Sequence, residues 1–131
     1  MSKKADLHIH SRRSDGSDTY EEIVKKAEAA HLEIIAFTDH YIAPDLERIR
    51  KLKQETSVLI LPGIECASYS AETHLKAHIL GFGIRDYQPV QQVMQPVIDS
   101  LEAESLRQLL LLHEQRRPQR RPQREPSYQS R

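Results

Sequence analysis

Between residues 5 and 83, apolar and polar residues fall into short blocks, each with the period of one kind of secondary structure. In ADLHIH (5–10), Leu7 and Ile9 lie on one face of an extended strand and Asp6, His8 and His10 on the other. TYEEIVKKAEAA (19–30) has helical spacing, with Ile23, Val24 and Ala27 as its buried stripe. Thr19 can cap that helix, and Glu22, three residues on, completes a capping box. His31 follows as a C-terminal cap residue. EIIAFTDH (33–40) is nearly continuous in apolar residues up to Thr38, as suits a parallel strand buried on both faces. PDLERIRKLKQE (44–55) predicts a second helix, with Pro44 near its first turn and Leu46, Ile49 and Leu52 on one side. VLILPGIE (58–65) predicts a third strand ending at Glu65, and LKAHILGFG (75–83) a fourth. Strand, helix, strand, helix, strand implies right-handed crossovers and a parallel sheet. The link between strands three and four shows no helical pattern and is either a hairpin or a loop.

Past Gly83 the pattern loosens. Residues 87–115 are helix-prone, but Pro96 is expected to kink or break the helix. RRPQRRPQREPSYQSR (116–131) repeats Arg-Arg-Pro-Gln, a composition expected to be a disordered, solvated tail. The expected organisation is therefore an α/β body at 1–88, a helical segment at 89–115 and a basic tail at 116–131.

Charge sharpens this division. The chain of 131 residues has zero net charge, but residues 113–131 hold six Arg and two Glu, so the body is acidic and the tail basic. The body does not read as a nucleic-acid binder working through bulk charge, although a basic tail leaves a nucleic-acid partner possible. The longest aliphatic run, Leu109 to Leu112, is far too short to span a membrane, and MSKKADLHIH is not a secretory signal. With the single cysteine, Cys66, these features point to a cytoplasmic protein without a membrane partner.

The candidate chemistry sits at the C-terminal ends of the predicted strands, where inward-facing residues of parallel strands converge. His8 and His10 point the same way, about 6.5–7 Å apart along the strand. Both can close on one metal ion, and Asp15 can return to it from the Ser-Asp-Gly turn that Gly16 permits. His40 and Glu65 end the second and third strands, and His78 lies in the fourth. A single histidine on a strand is ordinarily a core or surface residue; the cluster is what argues for ligation. Imidazole with carboxylate suits Zn, Mn or Fe. Cys66 reads as a small core residue, and His74 is a weak candidate in the ambiguous link. Asp6 is a candidate to orient an imidazole from behind, and Arg12 and Arg13 are candidates to hold a substrate phosphate.

DLHIHSRRSDG, FTDH, PGIE and HILGFG, taken in order and spacing, resemble the first motifs of the PHP (polymerase and histidinol phosphatase) family of metal-dependent phosphoesterases. The resemblance covers about residues 5–84. It implies a distorted seven-stranded β/α barrel, with up to three divalent metal ions at its C-terminal mouth. The positions that match the family's ligands are His8, His10, Asp15, His40, Glu65 and His78, with Glu65 at the place of the bridging carboxylate. The implied activity is metal-dependent hydrolysis of phosphate esters, either small-molecule monoesters or nucleotide and oligonucleotide ends. The spacing looks closer to the small stand-alone enzymes than to the polymerase-attached domain. The family's later histidine and Asp-x-His pair have no counterpart here, since only His113 follows His78. The chain thus resembles the N-terminal half of such a barrel, followed by sequence outside the family pattern, as in a truncated or frame-shifted product. An open sheet edge that invites self-association is expected. The alternative is a catalytically impaired remnant that binds metal or a partner chain without turnover.

Overall fold

The computed structural model describes residues 4–115, with side chains to residue 108. The tail at 116–131 lies outside the described residues. The elements in chain order are β1 (Ala5–Ile9), α1 (Tyr20–Ala29), β2 (Ile34–Phe37), α2 (Leu46–Glu55), β3 (Leu59–Ser70), β4 (Leu75–Phe82) and α3 (Gln88–Gln115). Two compact units divide the chain, Met1–Asp99 and Ser100–Arg131, and the first holds every strand.

Local signals set the helix ends. The Thr19 side chain accepts from the Glu22 backbone N–H, and the Glu22 carboxylate accepts from the Thr19 N–H at 2.8 Å, so the capping box is closed on both sides. Thr19→Ala is expected to cost about 1 kcal/mol; an unchanged urea midpoint would show that the cap is idle. At the other end Ala30 is the C-cap, and His31 takes a left-handed φ of 56°. The His31 N–H bonds to the Glu28 carbonyl and the Leu32 N–H to the Ala27 carbonyl, a Schellman closure that sends Leu32 back to the core. Helix α2 starts at Leu46, two residues after Pro44, because Asp45 caps it by accepting from the Arg48 N–H.

The core is the layer between these two helices and one face of the sheet. Tyr20, Ile23, Val24 and Ala27 of α1 pack with Ile35 and Phe37 of β2, Ile49 and Leu52 of α2, and Ile60 of β3. The Tyr20 and Phe37 rings stack at 3.9 Å. Each such large apolar side chain contributes about 1.5–3 kcal/mol over exposure, so this layer sets the strand register. Ile9 packs against it, which turns His8 and His10 to the other face of the sheet.

The sheet runs β1-β2-β3-β4. Strands β1, β2 and β3 are parallel, as the strand–helix alternation implies, while β4 pairs antiparallel with β3 from Gly63↔Phe82 to Ser70↔Leu75. The ambiguous link is therefore a hairpin, and β3 runs five residues past its expected end at Glu65 because β4 pairs with its extension. The result is a mixed, open half-barrel with β1 and β4 at its edges. Leu7 on β1 is 45% exposed and Ile79 on β4 is 56% exposed.

Pro96 does not end α3, contrary to the expectation that it could break the helix. Proline removes one helical N–H, but here the position is exposed, so water can serve the freed carbonyl. Gln95 also donates to Asp99 along the helix surface at 2.8 Å. Among the described residues, no helix is long and apolar enough to cross a membrane.

Candidate metal centre

The loop after β1 folds back on itself. The N–H groups of Ser14 and Gly16 both bond to the Ser11 carbonyl, and the Arg12 N–H bonds to the Asp18 carbonyl. This tight return brings Asp15 beside His10. It requires glycine at 16, since a Cβ there would sit 2.1 Å from the His10 carbonyl oxygen. Beyond β2, His40 bridges to Glu65 of β3. The Glu65 N–H bonds to the Asp39 carbonyl, and the Tyr41 N–H bonds back to the Glu65 carbonyl. Tyr41 adopts a left-handed φ of 61°, which turns the chain away immediately after His40. The hairpin register pairs Ala67 with His78, so His78 lies diagonally across from Glu65 on the same face.

Glu65 is the hub. It is buried (2% exposed), and its Oε2 lies 2.8 Å from His8 Nε2, 2.7 Å from His10 Nε2 and 3.7 Å from His40 Nδ1. Its other oxygen, Oε1, lies 2.7 Å from His78 Nδ1. Asp15 Oδ1 is 2.6 Å from His10 Nδ1, and Asp15 Oδ2 is 3.6 Å from His40 Nε2. The hydrogen bond to His10 holds the Asp15 carboxyl below its usual range. Burial works against charge on both His10 and Glu65, but their partners outweigh it. Asp15 and Glu65 raise the pKa of His10, and the bonds from His8 and His78 lower that of Glu65.

The donors fit a divalent cation. Three overlapping triads, His8–His10–Glu65, His10–Asp15–His40 and His40–Glu65–His78, each bring one atom per residue within 4.8 Å of the others. His8 Nε2 and His10 Nε2 are 3.0 Å apart while both face one Glu65 oxygen. Ligand atoms around an ion at about 2.0–2.2 Å stand at such spacings. His40 Nδ1 is buried and has no hydrogen-bond partner, an orphan that a cation would satisfy. The set is nitrogen and oxygen only, which suits Zn, Mn or Fe. Cys66 is half-buried outside these triads, and burial pushes its thiol pKa up.

The six candidate ligands thus come together, whereas Asp6, Arg12 and Arg13 make other contacts. The Asp6 carboxylate accepts from the His8 backbone N–H at 3.2 Å instead of orienting an imidazole. The Arg13 guanidinium donates to the Tyr20 hydroxyl at 3.1 Å and the Ala43 carbonyl at 2.8 Å. Arg12 donates to the Ser17 carbonyl at 2.6 Å and stands 3.9 Å from Glu22, both in its own loop and helix. His74 bonds the Tyr69 hydroxyl at the hairpin end. His113 falls among residues whose side chains are not described. Sequence reasoning missed Asp39, a buried carboxylate behind the cluster that binds Ser11, Ser14 and Tyr20. An acid directly beside a candidate ligand, in the TDH triplet, was the available signal.

Comparison with known proteins places these features. The PHP domain family model matches residues 6–120, so the match continues beyond residue 84 into the segment expected to lie outside the family. A phosphoribosyl 1,2-cyclic phosphate 1,2-diphosphodiesterase of Eggerthella lenta is 37% identical over 105 residues, covering 79% of this chain and 40% of that protein. A 3',5'-nucleoside bisphosphate phosphatase of Chromobacterium violaceum is 36% identical over 84 residues, covering 64% of this chain and 29% of that protein. The structure of an amidohydrolase from Chromobacterium violaceum, with bound sulfate and no metal, superposes with a TM-score of 0.65 at 30% identity, covering 80% of this chain and 36% of that one. The chain therefore spans less than half the length of these relatives. The ordered motifs, the half-barrel and the match across residues 6–120 together make this chain a member of the PHP domain family.

Proposed function

We propose that this chain carries the N-terminal part of a metal-dependent phosphoesterase centre. Its substrates are phosphate esters, either small-molecule monoesters or nucleotide and oligonucleotide ends. The observation that supports this best is the meeting of His8, His10, Asp15, His40 and His78 around the buried Glu65. The relatives that act on a cyclic ribosyl phosphate and on a nucleoside bisphosphate support the ester class. Bound Zn, Mn or Fe would lend Lewis acidity to phosphoryl oxygens and make water a better nucleophile. The protein's part is to hold the donors. Glu65 offers one oxygen toward His8 and His10 and the other toward His78, so a single carboxylate can serve two positions. Asp15 closes the cluster on its exposed side. A nucleic-acid substrate and a cytoplasmic location, the latter resting on the lone Cys66, belong to this proposal.

The second reading, an impaired centre, draws support from the donor count. Four imidazoles and two carboxylates can hold one ion well and a second in part, whereas three ions need more ligands. Self-association through the edges β1 and β4 belongs to this reading. The test is the purified chain with manganese or zinc, analysed for metal per chain and assayed on a phosphate monoester and a nucleoside bisphosphate. We expect about one tightly held ion and turnover below the usual enzyme range of about 1–10³ per second. Turnover within that range would refute impairment. A chain that retains no metal and shows no turnover would refute the phosphoesterase reading itself.

A further inference from the structure

Asp39 is buried (1% exposed), directly precedes His40, and is not one of the candidate ligands. Its Oδ1 accepts from the Ser11 backbone N–H at 2.7 Å and from the Ser14 hydroxyl at 2.7 Å. Its Oδ2 accepts from the Ser11 hydroxyl at 2.8 Å and from the Tyr20 hydroxyl at 3.3 Å. Each oxygen therefore has two donors, and about four is all that a carboxylate can accept. The Ser11 hydroxyl in turn accepts from the Arg13 N–H at 3.2 Å. Three of the four donors come from the loop that carries Asp15. The fourth, Tyr20, opens α1 in the core and is held in place by Phe37 and Arg13. Through its own backbone carbonyl, Asp39 also accepts from the Glu65 N–H. One residue thus ties together the loop bearing Asp15, the strand end bearing His40 and the strand bearing Glu65.

We infer that Asp39 is the positioning residue of the metal centre, holding the loop of residues 11–16 so that Asp15 meets His10 and His40. The inference rests on the metal-centre reading proposed above. The physical reason is the cost of the arrangement. A buried carboxylate is costly to desolvate, and its hydrogen bonds have to offset that cost. Here three of its four hydrogen bonds go to the loop of residues 11–16, and one, from Tyr20, comes from the core. Asp15 is two-thirds exposed, with a side-chain accessibility of 65%, so packing alone does not hold it. Ligand geometry must be kept within about 0.5 Å to bind well, and the Asp39 hydrogen bonds supply that constraint from behind.

The test uses Asp39→Asn, which keeps the shape but replaces acceptor sites with donors, together with Asp15→Asn, the Asp39→Asn/Asp15→Asn double variant, and Ser14→Ala, whose hydroxyl donates to Asp39 at 2.7 Å and also to Asp15 at 3.3 Å. Cobalt(II) affinity is followed by its visible absorption, and amide hydrogen exchange is followed without metal. Asp39→Asn should weaken cobalt binding by about 10-fold, and most of that loss should vanish in the Asp15→Asn background. Without metal, both Ser14→Ala and Asp39→Asn should lose protection at the Ser14 and Gly16 amides and keep it across α1 and β2. An equal effect of Asp39→Asn with and without Asp15 would overturn the positioning role, and so would unchanged cobalt affinity in both Ser14→Ala and Asp39→Asn. If the parent chain binds no cobalt, the metal-centre reading fails and this inference falls with it. If the parent binds and the variants match it, this inference alone fails.

Discussion

Glu65→Gln is expected to lower divalent-metal affinity by at least about 100-fold, the largest loss of any single replacement in the cluster. Glu65 meets four histidines, where Asp15 meets two: its Oε2 faces His8, His10 and His40, and its Oε1 faces His78. The amide keeps the shape but loses the charge, and its NH2 presents a donor where an acceptor now meets imidazole nitrogen. Four imidazoles would then surround a neutral group, and Asp15 alone would supply negative charge. Removing a group that merely supports a metal ligand costs about 10–100-fold in affinity; removing a shared ligand should cost more. The measurement is a competitive metal titration, with the metal-free thermal midpoint as a control for folding. Affinity within threefold of the parent would exclude Glu65 as a ligand.

Gly16→Ala is expected to damage both the fold and the centre. The added Cβ would lie 2.1 Å from the His10 carbonyl oxygen, 2.5 Å from its carbon and 2.8 Å from the Ser11 carbon. All three are backbone atoms, so no side chain can swing aside. The loop has to open, breaking the Gly16 N–H bond to the Ser11 carbonyl and carrying Asp15 off His10. Overpacking a fixed environment costs about 1–3 kcal/mol, and we expect the upper end of that range. Metal affinity should fall at least about 10-fold at the same time. Equilibrium denaturation and the same titration check both effects. Parent-like stability would mean that the loop relaxes freely, and that Asp15 is not held by it.

Much of this protein could be read before any coordinates. The capping box at Thr19 and Glu22, the stripe of Ile23, Val24 and Ala27, and the strand period around His8 and His10 are local, and local chemistry is enough to specify them. The six candidate ligands were legible because each stands on a strand, just past one, or in a tight turn, where side-chain direction follows from the element itself. The contacts of Asp6 and Arg13 were not legible, because direction on a loop or an edge depends on what lies nearby. Arg13 finds Tyr20 and Ala43, neither of them close to it in sequence. Pro96 was misread because its cost depends on exposure.

The sequence alone determined the helices, the three parallel strands and the identity of the donor side chains, since these depend on residues within a few positions of one another. Only the tertiary structure decided that the β3–β4 link is a hairpin, which sets His78 diagonally opposite Glu65. It alone brought Asp39 under the Asp15 loop, 24 to 28 residues away along the chain. Those contacts depend on strand register and on the packing of Tyr20 against Phe37. Register and packing are properties of the assembled core, in which each element takes its place only once the others are present.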